Sequence, residues 1–308
     1  MERTRIDTYP GIVKLTQDKL DSLSRSIEKR FSSDVIYFNS QIDKASIDVL
    51  TDVVLQHQKK SGLKTLTFLI DTPGGNANLI INFIELLRSL YEKINFVVPK
   101  YAISAGTFLC LSGNEIYLNS RSALGPIDLQ LETDRKYAFN LIRKQVAELE
   151  ESIKMDSANP NNGNLYHKLT NLRWSYNFTE QLDYQENINH LTEKYLKLYL
   201  LKDNGVSNID EVAKQIPNRL SDYKDMIEYG IYDHDSKILF EKAKRIGIPV
   251  KNYEVTFPEI TDAIEQFVTL CNDYSAFTGH KNFTLYSRIT DYIPNVTEIP
   301  KQENTTGK

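Results

Sequence analysis

A regular alternation of apolar and amphipathic stretches between residues 35 and 119 most constrains how this chain folds. Four apolar stretches predict strands, and two of the intervening stretches repeat apolar residues at the spacing of a helical face. The predicted strands are 35–40, 65–71, 94–99 and 115–119, and the predicted helices are 44–60 and 76–93. Strands that alternate with helices pair in parallel through right-handed crossovers, so we expect an α/β fold with a largely parallel sheet.

The second half of the chain has a different pattern. Residues from about 135 to 230 are mostly long helical stretches. Residues 235–254 predict a helix that ends near Gly247 and leads into a strand, and residues 258–277 predict a last amphipathic helix. We therefore expect a helical region between two parts of the α/β core.

Composition indicates an ordinary globular protein. Hydrophobic residues make up 41% of the 308 residues, and charged residues make up 25%. The net charge of −4 gives no indication of binding to nucleic acid or to an anionic membrane. The sequence has no apolar signal segment and no apolar stretch of membrane-spanning length. We therefore expect no transmembrane segment and a cytoplasmic location.

The sequence indicates neither a metal site nor a cofactor. The two cysteines, Cys110 and Cys271, lack the spacing of zinc ligands, and Cys110 lies in an apolar run that is typical of a buried thiol. The histidines form no pair of the H-E-x-x-H type, and no glycine-rich dinucleotide motif follows a strand. We expect no metal ion and no cofactor.

The motif "DTPGG" (residues 71–75) follows the predicted strand 65–71 and precedes a helix. Its two glycines allow a sharp turn and let backbone approach a ligand closely. Amide groups at the start of a helix also face outward, toward negative charge. The same pattern is found in simple strand-to-helix turns, so this motif alone leaves the functional reading open.

Ser104, in "YAISAGT", occupies the matching place after the next strand. A serine hydroxyl at a helix N-terminus is either a helix cap or a nucleophile that the helix dipole activates. Taken alone, the cap is the commoner role. The carboxyl ends of parallel strands meet at one sheet edge, however, so the serine and the glycine turn are expected side by side. A nucleophile beside preorganised amide donors is the arrangement that acyl transfer requires.

Three motifs in order, "DTPGG", "SAGT" and "LGPID", resemble those of the serine peptidases of the Clp/crotonase fold. The chain is most similar to the serine dehydrogenase proteinase group, and more distantly to signal peptide peptidase A, the NfeD-type proteases and ClpP. The resemblance is strong over about residues 35–131, and a weaker likeness covers 233–248. It implies a spiral of repeated β-β-α units with a largely parallel sheet and a helical insertion or extension.

This resemblance also suggests how the chain is divided. We expect an N-terminal helical segment (1–34), a Clp/crotonase-like catalytic core (35–134), a helical region (135–230), the C-terminal part of the core with its closing helix (231–293) and a disordered tail (294–308). By the same resemblance, Ser104 is the nucleophile, and Gly74 and Gly75 together with Ala105 form the oxyanion hole.

The resemblance leaves the catalytic base open. The position near Leu124, where ClpP-like proteins carry a histidine, has none, so a ClpP triad is excluded. His234, in "YDHDS", is the first candidate, and Asp233 and Asp235 are candidates to orient its ring. Lys144 is the alternative, since related enzymes use a lysine downstream of the serine; Lys136 and Lys154 are further candidates by position. We expect the other histidines to have no catalytic role. We expect Asp128 to close a turn or to contact a neighbouring subunit.

We therefore expect a serine peptidase that acts on peptides or proteins, and the resemblance implies a homo-oligomer built as a ring or from trimers. No ATPase motif is present, so any unfolding motor is a separate partner protein. Two alternatives stay open. One is a Clp-fold binding or assembly protein whose catalysis is impaired, and the other is a crotonase-type enzyme that acts on acyl-CoA without a serine nucleophile.

Overall fold

A computed structural model describes residues 10–128, 176–277 and 283–288 of the chain. The described residues form a six-stranded sheet, a small three-stranded sheet and helices packed on both sides of the larger sheet. Among the described helices, none combines the length and the apolar character needed to cross a membrane.

The six-stranded sheet has the order β8-β5-β3-β2-β1-β9. Its strands are β1 (Asp34–Ser40), β2 (Thr65–Asp71), β3 (Lys93–Val98), β5 (Glu115–Leu118), β8 (Val250–Asn252) and β9 (Phe283–Ser287). Every neighbouring pair is parallel except the antiparallel pair of β1 with β9 at one edge. The predicted α/β class with a largely parallel sheet is confirmed, whereas the sequence pattern did not predict the edge strand β9.

The smaller sheet has the order β4-β6-β7 and consists of β4 (Tyr101–Ala102), β6 (Ala123–Leu124) and β7 (Ile238–Leu239). β4 and β6 are parallel, and β7 runs antiparallel to β6. Each of its strands lies within a few residues of a candidate site residue. This sheet therefore joins three chain segments that are far apart in sequence.

The helices alternate with the strands in the first half of the chain, as the pattern predicted. They are α1 (Pro10–Phe31), α2 (Lys44–Ser61), α3 (Ala77–Leu90), α4 (Ala105–Leu111), α5 (Tyr176–Tyr195), α6 (Leu201–Asp203), α7 (Ile209–Ser221), α8 (Tyr223–Glu228), α9 (Phe240–Ile246), α10 (Tyr253–Thr256) and α11 (Pro258–Phe277). A π-helical turn, Leu196–Leu200, connects α5 to α6. The predicted division into domains stays a prediction, and the tail from residue 294 lies outside the described residues.

Local sequence accounts for the ends of α2. Asp43 caps its N-terminus by accepting a hydrogen bond from the Ser46 amide, and the Ser46 hydroxyl faces the Asp43 amide in return. Such a capping box satisfies two amides that the first helical turn leaves without partners. At the other end, Gly62 adopts the left-handed conformation (φ 66°), which a glycine accommodates without strain.

Two apolar layers hold the larger sheet in place. Successive side chains of a strand point to opposite faces, so Ile36 and Phe38 of β1 pack with α2 and α3, whereas Val35 and Tyr37 pack with α1 and α11. Both faces are fully covered, as is usual for a parallel sheet. The carboxyl ends of β2 and of β4 are therefore left to form a site at the sheet edge.

Candidate active site

Ser104 lies in a strained turn between β4 and α4. Its backbone has φ 52° and ψ −119°, although a serine rarely adopts a positive φ. The residue occupies the N-cap position of α4, but its side chain makes no capping hydrogen bond. The hypothesis that Ser104 is a helix cap therefore does not account for this residue. Its hydroxyl is not used to cap α4 and is available for chemistry.

The glycine turn that follows β2 lies directly against the Ser104 turn, as the sequence pattern predicted. Gly74 has φ 95°, and a β-carbon there would lie 2.5 Å from the Ile103 carbonyl oxygen and 2.8 Å from Ser104 Cβ. Gly75 has φ 144°, and a β-carbon there would lie 2.2 Å from the Ile42 carbonyl oxygen. Both positions therefore require glycine, for space as well as for backbone conformation.

Two backbone amides beside Ser104 are uncommitted. The Ile42 amide donates to the Gly74 carbonyl at 2.8 Å, and the Asn76 amide donates to the Ile42 carbonyl at 2.9 Å. In such a parallel bridge the middle residue, Gly75, turns its own amide away from Ile42. Within the described residues, the amides of Gly75 and Ala105 donate no hydrogen bond, so both are free to bind an oxyanion.

Gly74 differs from its neighbour, because its amide already has a partner. It donates to the Thr72 hydroxyl at 3.1 Å, which holds the turn closed. The predicted oxyanion hole includes Gly74, but the amide of this residue is engaged in the bond to Thr72. Within the described residues, the amides of Gly75 and Ala105 are left uncommitted, and the Gly74 amide stabilises the turn.

His234 forms a hydrogen bond with Asp128, 106 residues away in sequence. Its Nδ1 lies 2.9 Å from Asp128 Oδ1, and the side chain of the histidine is 21% exposed while that of the aspartate is fully buried. A carboxylate only accepts hydrogen bonds, so Nδ1 carries the proton and Nε2 is left as the basic nitrogen. This is the tautomer that a serine hydrolase requires.

Opposing effects act on the pKa of His234, and the net result is a raised pKa. Burial lowers it, but the hydrogen bond and the charge of Asp128, together with the charges of Asp235 and Asp233, raise it by more. The predicted acids Asp233 and Asp235 thus act on His234 through their charge. The carboxylate that hydrogen-bonds the ring is Asp128, while Asp233 accepts a 2.8 Å hydrogen bond from the Ser236 hydroxyl.

Asp128 is the site residue that sequence reasoning missed. We expected it to close a turn or to contact a second subunit, but its side chain is fully buried against His234. Residues of the helical region hold the segment that carries Asp128. The Ile127 amide donates to the Leu220 carbonyl at 2.9 Å, and the Gln185 side chain donates to the Ile127 carbonyl at 3.3 Å. The sequence did hold a signal, since β6 ends just before this aspartate at the edge where β4 leads into Ser104.

Ser104, Gly75, Ala105, Asp128 and His234 line one cleft of about 800 Å³. The residues around it come from the loops after β1 and β2, from the first turns of α2 and α3, from the start of α4, from the segment after β6, from α5 and from the loop before β7. They are Gln41, Ile42, Asp43, Lys44, Pro73, Gly75, Asn76, Ala77, Asn78, Leu79, Ser104, Ala105, Phe108, Ile127, Asp128, Tyr184, Ile188 and His234. The alternative base Lys144, like Lys136 and Lys154, lies outside the described residues.

Asp71, the first residue of the "DTPGG" motif, anchors the chain that leads to Ser104. Its Oδ1 accepts hydrogen bonds from the amides of Lys100 and Tyr101 at 2.7 and 3.2 Å. Its Oδ2 accepts a 3.0 Å bond from the Tyr37 hydroxyl. Burial raises the pKa of Asp71 to about 6, against the opposing effect of these bonds. The aspartate therefore holds β4 in place behind the turn.

The other two histidines within the described residues, His57 and His190, do not line the cleft. His57 is fully buried inside the core. Its Nδ1 is hydrogen-bonded to the Ser287 hydroxyl, and its Nε2 lies 3.2 Å from Asp34 Oδ1 in an ion-pair contact that lacks hydrogen-bond geometry. His190 is exposed on α5. His167 and His280 lie outside the described residues.

Comparison with known proteins shows which families and proteins this chain resembles. Residues 40–158 match the family of ClpP-like SDH-type serine proteinases. Two uncharacterized proteins of Methanocaldococcus jannaschii are 32% identical over 68 residues and 30% identical over 66 residues. These matches cover 22% and 21% of this chain and span 24% and 23% of the relatives' own lengths.

A solved structure of a mutant of the 1510-N membrane-bound stomatin-specific protease is also similar. It has 14% sequence identity and a TM-score of 0.41, over 78% of this chain and 85% of that chain. The family match covers residues 40–158, which is less than half of the chain, and supports a likeness to Clp-like serine proteinases. Within that class, the matched segment resembles the SDH-type proteinases, so the resemblance stated from the three motifs is confirmed.

Proposed function

We propose that this protein is a serine peptidase whose catalytic residues are Ser104, His234 and Asp128. One observation carries the proposal: a serine hydroxyl without a capping bond, two uncommitted amides and a histidine–aspartate pair all line the same cleft. We call the three side chains the cleft triad. The match to a serine proteinase family supports peptides or proteins as the substrate class.

In the first half of the reaction, Ser104 Oγ attacks the carbonyl carbon of a peptide bond while His234 Nε2 takes the hydroxyl proton. The carbonyl oxygen becomes an oxyanion that accepts hydrogen bonds from the amides of Gly75 and Ala105. Preorganised amide donors of this kind contribute about 10²–10³-fold each to the rate. The buried carboxylate of Asp128 stabilises the imidazolium that forms.

The intermediate then collapses. The carbon–nitrogen bond breaks, His234 gives its proton to the leaving amine, and the substrate's acyl group stays on Ser104 as an ester. In the second half, His234 takes a proton from water, whose oxygen attacks the ester carbonyl. The ester bond breaks, the proton returns to Ser104 Oγ, and a free carboxylic acid leaves the cleft.

Peptide hydrolysis tests this proposal. A mixture of unstructured peptides is incubated with the wild-type protein, with Ser104→Ala and with Ser89→Ala, and the products are identified by mass spectrometry. Ser89 is an exposed serine of α3 and serves as the matched control. We expect new peptide termini with the wild type and the control, and none with Ser104→Ala.

Two results overturn the proposal. Hydrolysis that persists in Ser104→Ala excludes this serine as the nucleophile. Absence of hydrolysis by all three proteins, together with binding of the peptides, favours the alternative of a Clp-fold binding protein, whereas turnover of an acyl-CoA thioester that is insensitive to Ser104→Ala favours the crotonase-type alternative. The homo-oligomer, the separate partner protein and the cytoplasmic location stay predictions.

A further inference from the structure

The hydroxyl of Thr107 connects the two chain segments that carry Ser104 and Asp128. Thr107 lies in the first turn of α4 and is fully buried. Its hydroxyl donates to the Ala102 carbonyl at 2.7 Å and accepts from the Gly125 amide at 2.9 Å. Ala102 precedes the nucleophile by two residues, and Gly125 precedes Asp128 by three.

This hydroxyl replaces one backbone hydrogen bond between β4 and β6. Ala102 pairs with Leu124, and the Ala123 amide donates to the Lys100 carbonyl at 3.0 Å. In a parallel ladder of this register, the next bond runs from the Gly125 amide to the Ala102 carbonyl. Here the Thr107 hydroxyl stands between these two groups and bonds to both, so the strands are held apart by the width of one oxygen atom just before the site.

The surroundings leave these two segments little freedom to adjust. A β-carbon at Gly125 would lie 2.6 Å from Ile103 Cγ2, so the backbone before Asp128 packs directly against the residue before Ser104. β7, which follows the His234 loop, pairs with β6 through Ile238 and Leu124. All three members of the cleft triad are therefore attached to the sheet whose spacing the Thr107 hydroxyl sets.

We propose that Thr107 is a positioning residue whose hydroxyl sets the distance between the nucleophile turn and the segment that carries Asp128. This inference rests on the proposed function, since it assigns a role relative to the cleft triad. Thr107→Val keeps the shape of the side chain but leaves the Gly125 amide and the Ala102 carbonyl without their shared partner. The methyl group that replaces the hydroxyl still stands between these two groups but bonds to neither, so the two segments shift apart and Asp128 moves relative to His234.

The first measurement is the titration of His234 by NMR, with its ring signals assigned from their loss in His234→Gln. Asp128, Asp233 and Asp235 are the charged groups that act on this ring, and Asp43 and Lys44 line the same cleft. We expect the pKa of His234 to fall in Thr107→Val, because the raising effect of Asp128 weakens. In Thr107→Ser, which restores the hydroxyl, we expect the wild-type pKa.

The second measurement is the rate at which a fluorophosphonate labels Ser104 in the same variants. We expect a decrease of about tenfold or more in Thr107→Val and recovery in Thr107→Ser. Thr67→Val is the matched control, because Thr67 is also a fully buried threonine whose hydroxyl is bonded, to Ser33, but it lies near the opposite end of β2. This control is expected to lower stability without a change in the labelling rate or in the pKa of His234.

The proposal is overturned if His234 titrates alike in the wild type and in Thr107→Val, or if Thr107→Ser fails to restore the wild-type value. It is also overturned if Thr67→Val reproduces the effects of Thr107→Val, since a general loss of stability then explains both. A wild type that is not labelled at Ser104 contradicts the proposed function, whereas the titration still decides the role of Thr107.

Discussion

The described part of the molecule contains two sets of serine, histidine and aspartate, and they differ in what surrounds them. The cleft triad lines an open cleft, whereas Ser287, His57 and Asp34, which we call the core trio, lie inside the packed layers. The side chains of His57 and Asp34 are only 1% and 2% exposed. Residue types alone therefore do not define a catalytic site, because a substrate can reach only one of these two sets.

The order of contacts around each histidine also differs. In the cleft, the aspartate is bonded to Nδ1 of His234, which leaves Nε2 as the base. In the core trio, the serine is bonded to Nδ1 of His57, and the aspartate faces Nε2. Both ring nitrogens of His57 thus face buried protein groups, and Asp34 also accepts hydrogen bonds from the hydroxyls of Ser61 and Tyr91 at 2.7 and 2.9 Å. The core trio joins elements of the fold and has no base to offer.

The largest expected effect is a loss of Ser104 labelling when His234, but not His57, is replaced. We expect His234→Gln to slow the labelling of Ser104 by a fluorophosphonate by about 10²–10⁴-fold, because the general base is lost. The change also removes the hydrogen bond between the ring and the buried Asp128, so the rate is measured at a temperature where the variant is fully folded. Stopped labelling reactions, analysed by intact mass, give the rate constants. An unchanged rate would remove His234 from the site.

The next effect concerns stability. We expect His57→Gln to lower the free energy of unfolding by about 3 kcal/mol, since it removes a buried ring that contacts the side chains of Asp34 and Ser287 and leaves these two polar groups without it. Urea unfolding followed by circular dichroism measures the change. The rate of Ser104 labelling, taken where the variant is fully folded, is expected to equal that of the wild type. A loss of labelling as large as that of His234→Gln would erase the distinction between the two sets.

The pH dependence of labelling sharpens the account of the cleft triad. The base must be neutral, so the rate is expected to fall with decreasing pH, by about tenfold for each unit below the pKa of His234. That pKa is raised above its ordinary value of 6.5. Asp128→Asn removes the main effect that raises the pKa of His234. The labelling rate of this variant is therefore expected to fall at lower pH than that of the wild type, and its maximum rate at high pH is expected to be lower. A fall at the same pH in both proteins would contradict the role of Asp128.

The raised pKa also has a consequence for stability. A histidine that binds its proton more tightly in the folded state stabilises the fold below its unfolded pKa of 6.5, and this contribution is lost as the pH rises through the raised value. We expect Asp128→Asn to weaken this dependence. Urea unfolding of both proteins between pH 5.5 and 8 measures the difference.

The smallest expected effect lies in the core trio. Ser287→Ala removes one buried hydrogen bond to His57, so we expect the free energy of unfolding to fall by about 1 kcal/mol. The rate of Ser104 labelling is expected to stay the same. Ser104→Ala provides the reverse pattern, because it abolishes labelling but keeps the β-carbon and so leaves the strain of this backbone position unchanged. A Ser287→Ala protein with impaired labelling would show that the two sets are coupled.

Sequence alone predicted the framework well where the signal was local. The strand Thr65–Asp71 and the helix Pro258–Phe277 begin and end at the predicted residues. The Ser104 and glycine turns lie side by side because the carboxyl ends of neighbouring strands must meet at one edge. These features depend on periodicity, on turn residues and on the geometry of parallel strands. Each can be recognised from a short segment of the sequence.

The features of the site that the sequence did not predict depend on contacts between distant segments. No local pattern pairs Asp128 with His234, because β6 and β7 must first bring the two residues together. The burial of His57 did have a local signal, since it continues the spacing of Leu50, Val53 and Val54 on the inner face of α2. Gly74 was expected to donate to an oxyanion, yet whether an amide is free depends on the neighbouring Thr72 hydroxyl.

The most direct test of the account is the site of covalent labelling in the folded wild-type protein. The protein is treated with a fluorophosphonate at pH 8, digested and analysed by tandem mass spectrometry. The account predicts one phosphonyl group on Ser104 and none on Ser287, because the first residue lines an open cleft together with His234 and two uncommitted amides, whereas the second is buried. Modification of another serine, with Ser104 unmodified, would contradict it.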